Sequence, residues 1–191
     1  MRRVLVAAEV ALSFVVLVAT GLLASSLYKL QRVEPGVAQP EQVLTLQVDL
    51  PGRRYDDATK INVFYEQMLE RTAALPGVVS SGMGMSLPPN RLQITDNFTL
   101  EGEEPKPGTA ETAVPLVFVD AGYFTTLGIP LVRGRTFARS DVPGAPLVAI
   151  VNAAFAARHF PGTDPIGKRI KTGGIERPEN PWMEIVGVVG D

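Results

Sequence analysis

The feature that most constrains this chain is an apolar run of 24 residues, from Val4 to Leu27, which contains a single charged residue, Glu9. At about 1.5 Å per residue, a helix of this length covers roughly 36 Å, enough to cross a hydrocarbon core of about 30 Å. A helix in a soluble protein normally keeps one polar face for water. The run therefore predicts a transmembrane helix.

The alternative interpretation of this segment is a cleaved signal peptide, and so a secreted domain. Arg2 and Arg3 would form its charged start, and residues 24–26 (Ala-Ser-Ser) its cleavage site. However, the run is longer than the usual signal-peptide core of about 7–15 residues. A helical pattern of apolar residues also continues past the site, at Leu23, Leu27 and Leu30. Both features favour an anchor that continues as a stalk.

Charges near the run leave two questions open. Glu9 is either a contact with a neighbouring helix inside the membrane or a residue of the headgroup layer. Basic residues flank both ends of the run, at Arg2, Arg3, Lys29 and Arg32. The positive-inside rule therefore hardly decides the orientation. We expect an anchor and stalk over residues 1–33 and a water-exposed domain over 34–191.

The first part of that domain has the pattern of a β-α-β unit. Val43–Leu50 alternates apolar and polar residues, which predicts a half-buried strand. Apolar residues then recur at helical spacing from Ile61 to Leu75, with Asp56 or Asp57 as the helix cap. Val78–Met85 is predicted as the second strand.

The rest of the domain mixes short strands and helices. Ser86–Pro107 is rich in Pro, Gly and acidic residues, and predicts an inserted lobe with one strand near Phe98–Leu100. Further strands are predicted at Val114–Val119, Leu131–Phe137, Leu147–Val151, Lys168–Lys171 and Glu184–Val189, and helices at Ala121–Leu127 and Asn152–Phe160. Because strands and helices do not alternate strictly, the predicted class is α+β, a mixed domain with β-α-β elements behind an N-terminal transmembrane helix.

Composition excludes several classes of function. Lys and Arg total 18 against 20 Asp and Glu, a net charge of −2, whereas nucleic-acid binding needs a basic excess. The chain has no Cys, which removes disulfides, thiol catalysis and thiolate metal sites. His159 is the single histidine, too few for a multi-histidine metal site. At the end of a predicted helix, it is expected to interact with the helix dipole or the terminal carbonyls.

Two glycine-rich segments resemble nucleotide-binding loops only superficially. Gly162–Arg169 has the Gly and Lys spacing of a phosphate loop, but Arg169 replaces the hydroxyl residue that would hold Mg²⁺. Pro165 also removes an amide, and the loop follows a helix instead of a strand. A tight turn into a basic strand is the expected structure. Ser81–Ser86 lacks the third Gly of a dinucleotide fingerprint and predicts close backbone neighbours.

Other candidate residues also have structural explanations. Asn97-Phe98-Thr99 fits a glycosylation acceptor, a tripeptide that also occurs by chance. The acids that would supply a metal site are Asp49, Asp56 and Asp57, each with a role on a strand surface or a helix cap. The aromatic residues that would line a ligand pocket are Tyr55, Tyr65, Tyr123 and Trp182. We therefore expect no catalytic, cofactor-binding or metal-binding residue and no cofactor; the alternative is a membrane-anchored solute-binding module or enzyme.

Several long blocks of the sequence resemble one family. The blocks are Gly122–Phe137 (GYFTTLGIPLVRGRTF), Val148–Ile170 (VAIVNAAFAARHFPGTDPIGKRI) and Trp182–Asp191 (WMEIVGVVGD), together with LQRVEPG and VLTLQVDLP after the apolar helix. They are similar to the MacB-like periplasmic core domain of FtsX-like ABC transporter permeases, and most similar to the duplicated, orphan permeases.

The resemblance implies a location, partners and a role. It implies the bacterial inner membrane, with residues after about 28 in the periplasm, and a non-catalytic domain that relays conformational change across the membrane or docks a partner. The implied partners are the lipid bilayer, a separate ABC ATPase subunit, and a second permease copy or a periplasmic adaptor. Because the sequence stops directly after an apolar strand, and the family has further spans, we also expect a piece of a longer permease.

Overall fold

A computed structural model describes residues 1–31, 37–52, 54–87, 94–102, 113–142, 144–173 and 177–191. They divide into two compact units, Met1–Pro35 and Gly36–Asp191. The first unit contains one helix, α1 (Arg2–Gln31), whose 30 residues cover about 45 Å. Arg2–Lys29 has a mean hydropathy of 2.3, and all its side chains are exposed. This helix is long and apolar enough to cross a membrane.

Within the described residues, the second unit begins with a short 3₁₀ helix, Pro40–Gln42. It also contains three α-helices and seven strands. In chain order they are α2 (Ala58–Ala73), β1 (Ile94–Asp96), β2 (Phe98–Leu100), β3 (Val114–Leu116), α3 (Tyr123–Leu127), β4 (Leu131–Gly134), β5 (Val148–Asn152), α4 (Ala153–His159), β6 (Arg169–Thr172) and β7 (Met183–Val189). The helices and strands are mixed without strict alternation, so the predicted α+β class is confirmed.

Strand β7 organises the main sheet. The strand order is β2-β6-β7-β4, and β5 also pairs with β7. β7 is antiparallel to β6 and to β4 but parallel to β5, which it meets from Val148↔Glu184 to Asn152↔Val189. The parallel pair is possible because the chain leaves β5 through α4 before it returns to the sheet. These elements form a β-α-β crossover, with β6 inserted before the second parallel strand.

The core has two clusters, and β7 contributes to both. One consists of Leu100, Val151, Ile170, Ile185 and Val188, with Ile185 fully buried. The other contains Tyr123, Phe124 and Leu127 of α3 together with Val189. The run of valines and isoleucine near the end of the chain is therefore buried on both faces of its strand, as its continuous apolar sequence indicates.

Of the predicted N-terminal β-α-β unit, the helix is present as α2, but the two predicted strands are wrong. Val43–Leu50 contains no strand, and Leu44 and Leu46 are 96% and 81% exposed. Val78–Met85 forms only one isolated bridge, Gly84↔Val119, and Val79 is fully exposed. An alternating pattern shows which side chains share a face, but a strand also needs a neighbour for its backbone groups. Among the described residues no second strand pairs with Val43–Leu50.

The helix caps follow the sequence closely. Asp57 accepts a hydrogen bond from the Thr59 amide at 2.9 Å and begins α2, which decides between the two predicted caps. Asn152 accepts from the Phe155 amide at 3.0 Å and begins α4, as predicted. Both side chains satisfy amides that a helix start leaves without an internal partner.

The predicted inserted lobe is described only in part, because residues 88–93 and 103–107 lie outside the described residues. Its described part holds β2, as predicted, and also β1, which pairs antiparallel with β3. β2 pairs with β6 in the main sheet. The lobe therefore contributes one strand to the main sheet and one to a separate two-stranded sheet.

Candidate functional site

One face of α1 carries hydroxyl groups and the single acid of the apolar run. Ser13 Oγ donates a hydrogen bond to the Glu9 carbonyl at 2.8 Å, and Thr20 Oγ1 donates to the Val16 carbonyl at 2.8 Å. A shallow groove on the helix surface is lined by Leu12, Ser13, Val16, Leu17 and Thr20. Hydroxyls bonded to the preceding turn are satisfied without water, as a helix in lipid requires.

The Gly162–Arg169 segment is a turn in which several amides already have acceptors within the protein. The Ile166 amide donates to Asp164 Oδ1 at 3.1 Å, and the Gly167 amide donates to the Ile185 carbonyl at 2.9 Å. The Lys168 amide donates to the Pro165 carbonyl at 3.1 Å. A phosphate-binding loop needs such amides free to face the anion. The turn leads into β6, as the sequence predicts.

The Ser81–Ser86 segment lies against the start of α3. A Cβ placed on Gly82 would come within 2.7 Å of the Gly122 carbonyl carbon, closer than real Cβ contacts. Asp120 Oδ1 accepts from the Met83 amide at 2.7 Å, and Tyr123 Oη donates to the Ser86 carbonyl at 3.1 Å. These glycines therefore allow a close approach of two backbones, which is the structure the sequence predicted.

His159 and the Asn97-Phe98-Thr99 tripeptide lie together at one end of the main sheet. The His159 ring, at the last position of α4, lies 5.0 Å from the Phe98 ring and 4.5 Å from the Phe155 ring. The Asn97 carbonyl accepts from the Gly173 amide at 2.8 Å. The histidine thus packs in an aromatic cluster, a contact that its place at the helix end did not indicate.

The three acids considered as metal ligands have separate partners. Asp57 caps α2, and Asp56 Oδ1 accepts from Lys60 Nζ at 2.7 Å, which lowers the pKa of Asp56 below its ordinary value. Asp49 Oδ2 accepts from Gln47 Nε2 at 3.5 Å. Within the described residues, no group of three or more acidic or histidine side chains is arranged to hold a metal ion.

The four aromatic residues considered as a pocket lining occupy three places. Tyr55 and Tyr65 both contact Phe64, with ring centroids 5.3 and 5.4 Å from it. Tyr123 is buried beside Phe124, whereas Trp182 lies 36% exposed just before β7. No contact among the described residues brings these three places together.

A surface cluster that the sequence did not predict surrounds Trp182. Arg169 binds Glu101 through two nitrogens, one of them Nε at 2.9 Å from Oε2. This ion pair lowers the pKa of Glu101 and raises the pKa of Arg169. Arg169 Cζ and Lys171 Nζ lie 6.0 and 5.2 Å from the Trp182 ring centroid, within cation–π range. Only the register of β2, β6 and β7 brings these residues together.

Comparison with known proteins identifies the class. The sequence profile of the family described as "MacB-like periplasmic core domain" matches residues 6–191. The chain therefore belongs to this family, which forms the periplasmic part of ABC transporter permeases. No curated protein that was compared matches it. The family and the apolar N-terminal helix together indicate a membrane protein with an extracytoplasmic domain.

Three solved structures are similar to the chain. The periplasmic region of MacB from Actinobacillus actinomycetemcomitans is 15% identical, with 66% of this chain and 50% of that chain covered and a TM-score of 0.42. The extracellular domain of the noncanonic ABC-type transporter YknZ from Gram-positive bacteria is 19% identical (66% and 57% covered, TM-score 0.44). A domain of a putative permease protein from Porphyromonas gingivalis is 17% identical (64% and 48% covered, TM-score 0.43). The chain spans about half the length of these structures.

Proposed function

We propose that this chain is the first membrane span and the periplasmic core domain of an ABC transporter permease, and that it relays conformational change instead of catalysing a reaction. Residues 1–33 form the anchor and stalk, and residues 34–191 form the core domain. The observation that carries the proposal is the continuity of α1, which runs unbroken from Arg2 to Gln31.

The length of α1 explains how a relay works. A helix of about 45 Å exceeds a hydrocarbon core of about 30 Å, so it has turns left over outside the lipid. Because every turn is hydrogen-bonded to the next, a tilt or shift of one end moves the other end. A separate ABC ATPase on the cytoplasmic side supplies the movement. A second permease copy or a periplasmic adaptor receives it.

A non-catalytic role is supported by the hydrogen bonds and ion pairs that the candidate catalytic groups already make within the protein. The Ile166, Gly167 and Lys168 amides of the Gly162–Arg169 turn bind acceptors of the protein itself. The acids Asp56 and Asp57 bind Lys60 and a helix start, respectively. A reaction would need groups that converge on one substrate atom.

The membrane anchor is tested by extracting membranes that contain the 191-residue chain with alkaline carbonate, and by measuring its intact mass. We expect retention in the membrane and a mass that includes residues 1–26. A Val16→Lys/Val18→Lys variant is the control, because two charges at the centre of a span cost about 5–7 kcal/mol on the insertion scale. Release of the unaltered chain, or a mass that lacks the first 26 residues, contradicts the proposal.

The orientation is tested by labelling single cysteines with a membrane-impermeant maleimide in spheroplasts, which is straightforward because the chain has no Cys. We expect labelling of Glu66→Cys, an exposed position on α2, in intact spheroplasts. Arg2→Cys should be labelled only after lysis. The reverse pattern would show that the domain faces the cytoplasm.

The non-catalytic role is tested by phosphate release from ATP with the purified chain in detergent. We expect the rate of protein-free buffer, both for the chain and for Lys168→Ala. Hydrolysis that the Lys168→Ala change abolishes would assign catalysis to the Gly162–Arg169 turn and contradict this part of the proposal.

A further inference from the structure

The described part of the core domain begins with a contact on the end of α3. The Ala38 amide donates a hydrogen bond to the Leu127 carbonyl at 3.0 Å. Leu127 is the last residue of α3, and a helix end leaves its final carbonyls without an internal partner. Beside this bond, Val37 packs against the core cluster that α3 forms with β7. We call the contact of Val37 and Ala38 with Leu127 and Gly128 the α3 contact.

Gly128 makes this contact close. It caps α3 in the left-handed region, at φ +69°, where glycine is favoured. A Cβ placed on Gly128 would collide with the Cβ of Ala38. The cap is held by the Ile129 amide, which donates to the Phe124 carbonyl at 2.8 Å. Because the two backbones meet without room for a methyl group, a push on Ala38 moves the end of α3, and the hydrogen bond resists a pull.

From α3 the contacts lead directly to β7. Val189 of β7 packs against α3 in the shared cluster. The chain continues from Gly128 to Pro130, whose carbonyl accepts a hydrogen bond from the Gly190 amide at 2.9 Å. Strand β4 then pairs with β7, beginning at Leu131↔Val189. The end of α3 is thus joined to the central strand of the main sheet by side-chain packing, by a backbone hydrogen bond and by a strand pair.

The next hydrogen bond from this part of the chain to the rest of the domain comes much later in the sequence. Among the residues that the structure describes, 39–80 make backbone hydrogen bonds only with one another. The Met83 amide then donates to Asp120 Oδ1 at 2.7 Å. A pull that opens the α3 contact would therefore release the chain as far as about residue 80.

We propose that movement of α1 enters the core domain through the α3 contact and passes from there to β7. The inference rests on the proposed function, because it requires α1 to move. A contact transmits a displacement only if it stays closed under load; otherwise the chain peels away and absorbs the displacement. The α3 contact combines a hydrogen bond, apolar packing and close backbones, and it is the first contact after α1 in the described part of the core domain.

Single-molecule pulling of the 191-residue chain tests the proposal, with α1 held in a detergent micelle. Handles at Gln31→Cys, at the end of α1, and at Arg158→Cys, an exposed position on α4, apply the load as α1 would. We expect the chain with handles alone to unfold without an early step, because the load reaches β7. Gly128→Ala should add an early step at lower force that releases roughly 40 residues, or about 140 Å of contour length.

Gly77→Ala is the matched control. Gly77 has a φ of +86°, so alanine meets a backbone strain there similar to that at Gly128, but nothing lies within 4 Å of the added methyl group. Gly77→Ala should therefore rupture like the chain with handles alone. An early step of the same size and force in either of these two chains contradicts the α3 contact as the point of entry.

A milder pair of variants tests the contact even if Gly128→Ala does not fold. Val37→Ala removes apolar packing on the α3 cluster and should shift the first rupture to lower force. Val79→Ala, at a fully exposed position, should leave that force unchanged. If the two variants rupture at the same force, Val37 carries no load and the proposal is wrong.

Carbonate extraction of the same variants separates this inference from the proposed function. A chain that stays in the membrane but peels at low force without any substitution at the α3 contact contradicts only the point of entry. A chain that carbonate releases contradicts the anchor, and with it the proposed function, whatever force the core domain withstands.

Discussion

At the scale of single residues, two close contacts hold the surface of the core domain in place. Gly82 and Gly122 bring two backbones together where any side chain would collide. In the loop that follows β4, Arg135 binds both carboxylate oxygens of Asp141, at 2.7 and 3.0 Å. Asp141 also accepts from the Ala138 amide at 2.8 Å, so one carboxylate closes the loop that follows β4.

Replacing Gly82 by Ala should destabilise the domain by about 1–3 kcal/mol, because the added methyl group would meet backbone atoms of Gly122 and Tyr123 at 2.7 Å. Thermal unfolding of the two proteins measures the difference. Gly52→Ala is the matched control, since nothing lies within 4 Å of its added methyl group. Equal melting temperatures for Gly82→Ala and the unaltered chain would contradict the close approach.

Replacing Asp141 by Asn should lower the melting temperature near pH 7 but not at strongly acidic pH. The hydrogen bonds from Arg135 lower the pKa of Asp141 below its ordinary value of 3.8 in the folded state. The stabilisation is therefore complete above pH 3.8 and is lost as the pH falls through the lower, folded-state pKa. For a surface ion pair whose carboxylate also accepts one backbone hydrogen bond, we expect a loss of about 1 kcal/mol, or a melting temperature lower by about 2–4 °C.

Melting curves at pH 7, 4 and 2 check this dependence. Glu66→Gln, an exposed carboxyl on α2, serves as the control and should show little difference at any of these values. A difference for Asp141→Asn that stays constant down to pH 2 would contradict the ion pair as its source.

At the scale of elements, β7 is the strand on which the main sheet depends. It pairs with β4, β5 and β6 and supplies buried residues to both core clusters. Loss of its packing therefore affects most of the domain at once, whereas β1 belongs to a separate two-stranded sheet.

Ile185→Ala should cost about 2–5 kcal/mol, because Ile185 is fully buried and its removal leaves a cavity in the larger cluster. Ile94→Ala, in β1, is the matched control: Ile94 is 41% exposed, and its truncation should cost less than about 1 kcal/mol. Chemical denaturation measures both values. Similar losses for the two variants would indicate that β7 is not the centre of the core.

The elements also show how far the sequence predicts the fold. The β5–α4 unit is predictable because an apolar run meets an N-cap, Asn152, and both signals are local. Val43–Leu50 has an equally clear pattern, yet no described strand pairs with it, since alternation specifies a face and not a neighbour. The Glu101–Arg169 pair joins residues 68 positions apart, and nothing near either residue in the sequence indicates the other.

At the scale of the whole molecule, the chain consists of two units with different solvent requirements. Met1–Pro35 contains an apolar helix without a buried face among its described side chains, whereas Gly36–Asp191 contains two core clusters. The sequence-based prediction of an anchor and a separate domain rests on the abrupt change of hydropathy near residue 30.

A chain that begins at Glu34 should lose its association with membranes. On flotation of vesicles through a sucrose gradient, we expect the 191-residue chain to rise with the lipid and the shortened chain to stay at the bottom. The physical reason is the removal of the 24-residue apolar run, the only candidate span in the described residues. A shortened chain that still floats would show a second attachment to lipid through the core domain.

The exposed segment Val43–Leu50 has a consequence for handling the protein. Leu44 and Leu46 are 96% and 81% exposed, and no strand in the described part of the chain pairs with their segment, so we expect its unpaired backbone to favour cross-β aggregation. Pro40 and Pro51, on either side, lack an amide hydrogen and act as gatekeepers that limit how far a ladder can extend. We therefore expect a charged residue in place of Leu46 to reduce aggregation of the domain at high concentration.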